Sequence, residues 1–301
     1  MPTWFSSAKL RCLLTCLAAL PPTAGGVSAA IAQDAGAFHE IETKYIFGNF
    51  TVGSSTGIEG EKAIEAESVA SFGKRSGQYA AGQTTFEFEY TPTQYIQIEF
   101  GPTVSYYNIR NVPGFDDRSM GGVSGFEANI RSVLIDRGQT PFAVTVALEP
   151  EWHNLDETTG ETVSNYSLEA RIEGDAEIIK NRLYYGFNLL YEPETTFSGL
   201  SDVESESTFG VSSALAFQIV PNVVVGADLW YYRHYDGAFF NSFAGDALYI
   251  GPSFFWNIAP KVLVSAAWQA QVAGHEVGVA APLDLTEFSR QRARLLLEFE
   301  F

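Results

Sequence analysis

The chain has little cysteine, little positive charge and no long apolar run. Its 301 residues include two cysteines, and 18 lysines and arginines stand against 36 aspartates and glutamates, so the net charge is −18. Such an acidic chain lacks the electrostatic footprint of a nucleic-acid-binding protein. No apolar run reaches the ~18 residues that a membrane-spanning helix needs. Disorder is excluded as well, because Phe, Tyr, Val, Ile and Leu are abundant throughout.

The first 32 residues have the three-part layout of a secretory signal peptide. Lys9 and Arg11 precede a short apolar stretch at 12–20, and Ala-Ile-Ala at 30–32 forms a cleavage pattern. The alternative is a short buried helix. Both cysteines lie within this leader, so we expect the exported chain to have no disulfide framework and no thiol chemistry.

Apolar and polar residues alternate along most of the chain after residue 60, whereas helical periodicity is hard to find. Clear examples are 86–90 (FEFEY), 96–100 (IQIEF) and 166–173 (YSLEARIE). Successive side chains of a strand point to opposite faces, so each segment has one apolar and one polar face. We predict twelve strands, near 61–73, 81–91, 94–109, 122–136, 141–154, 162–179, 182–197, 205–219, 222–236, 246–258, 261–274 and 290–301.

The connections between these strands alternate in length. Every second one is short, as at 91–93 and 180–181, whereas most of the others are long and glycine-rich, as at 110–121 and 275–289. This layout is typical of a transmembrane antiparallel up-and-down β-barrel, a fold that satisfies every backbone group inside a bilayer. The sequence therefore predicts an all-β barrel of about twelve strands in the outer membrane. A soluble sandwich or lipocalin-like barrel is the alternative, but it has no reason to sort its loops by length.

The final strand ends in an assembly signal. Leu295, Leu297, Phe299 and Phe301 fall on one apolar face, and Leu296 is the one apolar residue on the opposite face. A terminal Phe that closes such a strand resembles the recognition signal of outer-membrane proteins inserted by the barrel-assembly machinery. We therefore expect the lipid bilayer and this machinery to be partners of the chain.

We divide the chain into a signal peptide at 1–32, an N-terminal periplasmic or lumen-entering segment at 33–59, and an outer-membrane barrel at 60–301. Twelve strands place both ends of the barrel on the short-turn side, which is periplasmic in this class. Residues 38–50 also alternate in part and could form a thirteenth strand. An odd number would put the mature N-terminus outside the cell, so we assign 33–59 to the periplasm or the lumen, where it could plug the barrel.

The polar faces of the strands would line the lumen. Unpaired charges in a dry interior cost several kcal/mol each, so either water fills the lumen or the acids pair with the arginines in a plugging network. Twelve strands lie between the filled barrels of about eight strands and the open channels of about 16. Rings of charge select ions in pores, although a purely structural network is an equal alternative. The lumen and selectivity candidates are Glu65, Glu67, Glu87, Glu89, Glu99, Arg131, Glu169, Arg171, Arg290, Arg292, Arg294, Glu298 and Glu300.

The aromatic residues of the predicted strands crowd towards the strand ends. Such residues commonly form interfacial girdles where a barrel meets the two membrane surfaces, and we expect that role rather than a sugar-binding track. The set comprises Tyr106, Tyr107, Trp152, Tyr184, Tyr185, Tyr191, Trp230, Tyr231, Tyr232, Trp256 and Trp268.

Signals of catalysis and of cofactor binding are weak. The four histidines, His39, His153, His234 and His275, are scattered, with no pair at metal-ligand spacing. His234 and Ser242 show only a coincidental spacing. We therefore predict no enzymatic activity, no metal and no cofactor, and a barrel hydrolase is only a remote alternative.

Four stretches, at 111–120, 149–161, 241–252 and 265–275, carry a family resemblance. Over 39–301 the chain resembles a family of uncharacterised Gram-negative outer-membrane barrels, and it is distantly similar to transporters of the phenol-degradation MetA-pathway type. The resemblance implies a fold and a location but no site residues. The leading hypothesis is a passive channel or transporter for small polar or cationic solutes. The second is a closed structural or surface-binding barrel whose long outer loops recognise a partner.

Overall fold

The computed structural model describes residues 38–138, 140–199 and 202–301, so the predicted signal peptide lies outside the described residues. Each strand runs antiparallel to its neighbours, and the last strand pairs with the first, which closes the sheet into a barrel. Within the described ranges, no helix is long and apolar enough to cross a membrane. The strands are β1 (Lys62–Phe72), β2 (Gln78–Thr93), β3 (Ile96–Arg110), β4 (Arg118–Ile135), β5 (Phe142–Leu155), β6 (Thr162–Ile179), β7 (Leu183–Ser198), β8 (Asp202–Val220), β9 (Val223–Asp236), β10 (Ser242–Ala259), β11 (Val262–Glu276) and β12 (Gln291–Glu300).

The predicted all-β barrel of twelve strands is confirmed, but its connections are sorted by length less cleanly than predicted. The turn end of the barrel holds the β2–β3 connection and the end of β12, and the loop end is the opposite rim. At the turn end, β4 and β5 are joined by 136–141, whereas at the loop end β7 and β8 are joined by 199–201 alone. At the loop end, strand pairing extends beyond the part of each strand with an apolar outer face and includes polar residues. This is possible because backbone hydrogen bonds do not depend on apolar side chains. Several loop-end connections are therefore shorter than predicted.

The outer face of the barrel is apolar and the inner face is polar. Exposed outward side chains include Ile64, Phe86 and Leu215, whereas inward Glu65 and Glu87 are buried. An apolar outer surface of this extent requires lipid around it, which contradicts the soluble alternatives. The apolar residues of the predicted assembly signal all lie on this lipid-facing side: Leu295, Leu297, Phe299 and Phe301.

Part of the predicted aromatic girdle is inside the barrel. Tyr107, Tyr184 and Trp230 are buried on the inner face, so their assignment to the girdle is wrong. Tyr and Trp have an apolar body and a polar tip, which suits a polar lumen as well as a membrane interface. Trp152 and Trp268 are exposed on the outer face, as expected of girdle residues.

Candidate functional site

The lumen contains a stretch of the chain that precedes β1, which we call the internal segment (residues 41–56). Ile46 and Phe47 within it have no solvent exposure. The segment turns back on itself, and the Gly53 amide donates to the carbonyl of Lys44 at 2.9 Å. The turn depends on Gly48, whose φ is +87° and where an added Cβ would lie 2.6 Å from a side-chain atom of β10. Only glycine tolerates both conditions without strain.

One side of the internal segment is apolar and packs on the wall formed by β7 to β12. Ile46 and Phe47 belong to a buried cluster with Tyr184, Phe255 and Leu296. Leu296 is the residue that breaks the polar face of the last strand in the sequence. Its inward position is explained by this contact, because burying a leucine side chain contributes about 1.5–3 kcal/mol.

The other side of the segment presents Lys44 to three glutamates on β1, β2 and β3. Lys44 Nζ lies 3.3 Å from Glu65 and 2.5 Å from Glu89, and it also contacts Glu99. All four side chains are almost fully buried. Burial alone would lower the pKa of Lys44, but the three carboxylates outweigh it and hold that pKa well above its usual range. Lys44 is therefore a permanent cation inside the barrel.

Two more anchors hold the segment to β6 and β7. The Thr43 hydroxyl, the Ser54 amide and the Ser54 hydroxyl each donate to Asp175 at 2.7 Å. The Asn188 side chain accepts from the Val52 amide and donates to the Val52 carbonyl, both at 2.8 Å. The amide therefore completes the backbone hydrogen bonding of Val52 as a neighbouring strand would.

Arg131 on β4 forms the fourth anchor. Its guanidinium donates to the carbonyls of Gly53 and Ser55, each at 2.7 Å, and to Glu173 at 2.6 Å. A planar guanidinium suits several fixed acceptors at once, which a lysine ammonium does not match. Arg131 is 1% exposed, so every one of these donors is needed to offset its desolvation.

The internal segment separates two cavities of the lumen. The turn-end cavity has about 510 Å³ and is lined by residues 41, 42 and 54–56 of the segment, by Glu40, Gly57 and Ile58 beside it, and by the β4–β5 connection. The acidic chamber, of about 200 Å³, lies towards the loop end and is lined by eleven glutamates and four cationic residues. Its charged lining comprises Glu65, Glu67, Glu87, Glu99, Glu127, Glu149, Glu151, Glu157, Glu169, Glu173, Glu192, Lys44, Arg131, Arg171 and Arg294.

Most of the predicted lumen residues meet at this chamber. Eight of them line it directly: Glu65, Glu67, Glu87, Glu99, Arg131, Glu169, Arg171 and Arg294. Of the remaining acids, Glu89 contacts Lys44, Glu298 is buried on the inner face of β12, and Glu300 is partly buried at its end.

Three of the predicted lumen residues are arginines at or just before the start of the last strand. Arg294 pairs with Glu67, whereas the guanidinium of Arg292 lies over the ring of Phe50 at 4.4 Å. Arg290 precedes β12 and is exposed. The three arginines therefore have different surroundings, and only Arg294 lines the acidic chamber.

The sequence reasoning included Glu65, Glu89 and Glu99 among the lumen candidates but missed Lys44 and its pairing with them. The sequence did contain one signal for this contact. Lys44 is the single lysine or arginine in the partly alternating stretch 38–50, and a buried charge there would need an oppositely charged partner. Its partners lie 21 to 55 residues further along the chain, on three different strands. No spacing rule connects residues that only strand pairing brings together.

A closed barrel with a lipid-facing exterior and a polar lumen defines an integral β-barrel protein of the outer membrane. Residues 39–301 match a family of unknown function, DUF6662, and the chain belongs to that family. The predicted resemblance to an uncharacterised outer-membrane barrel family is thereby confirmed. No curated protein matches the sequence.

Several solved structures match the chain at low sequence identity. The COG4313 outer membrane channel from Pseudomonas putida F1 is 10% identical with a TM-score of 0.56, and the match covers 82% of this chain and 98% of that one. The translocator domain of autotransporter NalP from Neisseria meningitidis is 11% identical with a TM-score of 0.49, over 81% and 89% of the two chains. The NanC porin is 9% identical with a TM-score of 0.47, over 78% and 98%. At these identities the similarity concerns the fold alone.

Proposed function

We propose that this protein is an outer-membrane channel for small cations and that the internal segment is its gate. The observation that carries the proposal is the acidic chamber, where eleven glutamates face four cationic residues. A structural network needs matched charges, whereas an excess of one sign in a low-dielectric cavity concentrates counter-ions. Small cations are therefore the solutes that this lumen favours.

Two chamber glutamates are free to act on a passing cation. Glu87 and Glu192 line the chamber, and neither forms an ion pair within the described part of the chain. By contrast, Glu65 and Glu99 are engaged by Lys44, so the anchors of the segment occupy them. We therefore assign ion selectivity to the unpaired Glu87 and Glu192, and we assign gating to the glutamates that hold Lys44.

The internal segment can leave the lumen without any loss of barrel pairing. The twelve strands close on one another through β1 and β12, and the segment is not a member of that sheet. Side chains such as Asp175, Asn188 and Arg131 provide its polar anchors to the wall. Its release therefore exchanges these contacts for water while the barrel remains closed.

A closed barrel that binds a partner through its outer loops is the second candidate. The internal segment that occupies the lumen and the buried Arg131–Glu173 pair favour it, because they resemble a plugging network. We propose no hydrolytic role, since within the described residues His234 contacts Glu206, Glu287 and Thr208 rather than Ser242, the candidate nucleophile.

Reversal potentials in planar bilayers under a KCl gradient test the channel. We expect brief cation-selective openings from the folded protein, and a shift towards zero selectivity in the Glu87→Gln/Glu192→Gln double variant. Glu59→Gln is the matched control, because this exposed glutamate precedes β1 and lines neither cavity. Unchanged selectivity in the double variant would remove these two residues from the role. Folded protein that stays silent even after the segment is released would contradict the channel and favour the second candidate.

A further inference from the structure

Three glutamates that line the acidic chamber converge on a buried histidine beside it. His153 on β5 is 1% exposed, and its Nε2 lies 3.1 Å from Glu151, 3.7 Å from Glu157 and 3.9 Å from Glu127. One ligand atom from each of Glu127, Glu151 and His153 can be chosen so that all three lie within 4.8 Å of one another. The three glutamates all line the chamber, so the cluster faces its space.

The carboxylate of Glu127 is held in place by neighbouring hydroxyls. Thr85 Oγ1 donates to it at 3.0 Å and Thr103 Oγ1 at 2.8 Å. Both threonines are buried on the inner face of the barrel. Hydrogen bonds of this kind orient the ligands of metal sites and are a regular part of their design.

Glu157 gives the cluster access to solvent. It lies in the β5–β6 connection at the loop end, and its side chain is 56% exposed. The other three side chains are buried or nearly so, at 1% for His153, 8% for Glu127 and 13% for Glu151. A cation that arrives from the loop end would therefore meet Glu157 first and the buried ligands next.

We propose that His153, Glu127, Glu151 and Glu157 bind one divalent transition-metal cation, for which Zn²⁺ is the reference ion. Imidazole nitrogen with carboxylate oxygens suits Zn²⁺ and related ions, whereas Ca²⁺ and Mg²⁺ take oxygen ligands. Metal–ligand bonds of about 2.0–2.2 Å place neighbouring tetrahedral ligands roughly 3.4 Å apart. The spacings of 3.1–3.9 Å around His153 Nε2 span that value.

The other acidic cluster found among the described residues, Glu65, Glu89 and Glu99, does not offer the same site. Glu65, Glu89 and Glu99 already surround the ammonium of Lys44, which neutralises part of their charge. Of the two groups of described residues whose ligand atoms all lie within 4.8 Å of one another, this one includes a nitrogen ligand, and its glutamates line the chamber.

If the protein is a cation channel, this site indicates that divalent transition-metal ions are among the cations that pass through it. That part of the inference rests on the proposed function, whereas metal binding itself does not. Binding itself is measured without any ion current. Metal binding by a protein that stays silent even after the segment is released would overturn the channel and leave the site. Conductance without saturable metal binding would overturn the site and leave the channel.

Calorimetric titration of the folded chain in detergent with Zn²⁺ tests the site. We expect saturable binding of one Zn²⁺ per chain, at least tenfold tighter than Mg²⁺, and at least a tenfold loss of affinity in His153→Ala. Glu157→Gln is the second variant, because a change at an exposed connection leaves the barrel folded, and it should weaken binding about tenfold. His275→Ala is the matched control, since its ring stacks on Phe243.

Co²⁺ provides a spectroscopic readout on the same variants. The wild-type chain should give visible absorption bands of nitrogen- and oxygen-coordinated Co²⁺ that Zn²⁺ abolishes, and these bands should be lost in His153→Ala. The proposal is overturned if wild-type protein shows no saturable Zn²⁺ binding. It is equally overturned if folded His153→Ala and Glu157→Gln bind Zn²⁺ as tightly as the wild type.

Discussion

Replacing Lys44 by methionine should release the internal segment from the lumen. The substitution keeps an unbranched side chain of similar length and removes the ammonium that Glu65, Glu89 and Glu99 surround. Three buried carboxylates would then face one another without a cation. They would have to take up protons or admit water; proton uptake relieves part of the repulsion, and the entry of water favours withdrawal of the segment.

The size of the effect follows from the burial of the pairs. Lys44 and its three partners are each no more than 5% exposed at the side chain, so solvent screens them little. Removing one partner of a buried ion pair costs about 3–5 kcal/mol. Protonation of the carboxylates offsets part of this cost, which leaves about 3 kcal/mol, or roughly a hundredfold in the opening equilibrium at about 1.4 kcal/mol per factor of ten.

A single introduced cysteine can report this opening. The native cysteines, Cys12 and Cys16, both lie in the predicted leader, so Thr51→Cys gives the exported chain one thiol. Thr51 has no solvent exposure, and its hydroxyl has no hydrogen-bond partner among the described residues, so the substitution removes no side-chain hydrogen bond. Labelling of this thiol by a soluble maleimide should be about a hundredfold faster in Lys44→Met.

Lys62→Met is the matched control, because Lys62 is exposed at the start of β1. The Thr51→Cys/Lys62→Met double variant should be labelled at position 51 at the same rate as Thr51→Cys alone. If Lys44→Met labels no faster than the control while the barrel remains folded, the reasoning that Lys44 anchors the segment is refuted.

Three further perturbations have distinct expected outcomes. Gly48→Ala should also speed labelling at position 51, because it combines a positive φ with a clash against β10, and an unchanged rate would count against a tight turn. Leu297→Arg, on the lipid face, should lower the free energy of unfolding in liposomes by about 2–4 kcal/mol if it lies near the bilayer midplane; no loss would contradict that placement. Burial lowers the pKa of Lys74 from 10.5 to about 8, so the unfolded chain binds the extra proton between these values and stability should rise with pH across that window. The urea midpoint should therefore rise more steeply from pH 8 to 10 in the wild type than in Lys74→Met, and equal slopes would contradict the burial of this ammonium.

The strands, and which of their side chains point inward or outward, could be predicted because both depend on residues that are close together in the sequence. Alternation at 86–90 and 96–100 identified each inner and outer face, and the phase of Leu295 and Leu297 identified the lipid side. The single departure, Leu296, already marked a place where something apolar lies inside the barrel. A period of two is therefore enough to predict the barrel and the polarity of its two surfaces.

The contents of the lumen could not be predicted in the same way, because they depend on long-range pairing. Lys44 contacts Glu99, which lies 55 residues further along the chain, and His153 lies close to Glu127 on the neighbouring strand. Spacing rules for metal ligands describe residues on one helix or loop, so they found no site among the scattered histidines. Trp230 was predicted to belong to the aromatic girdle because a tryptophan suits both the membrane interface and the polar lumen. Only its position in the inward–outward alternation of the strand distinguishes these two locations.

Planar-bilayer recording of Lys44→Met beside the wild type tests the central claim most directly. With the segment released, the acidic chamber and the turn-end cavity should join, so the variant should show a higher open probability and larger currents that prefer cations. A variant whose segment is released, as shown by labelling at position 51, but which remains as silent as the wild type would contradict the account of a gated cation channel.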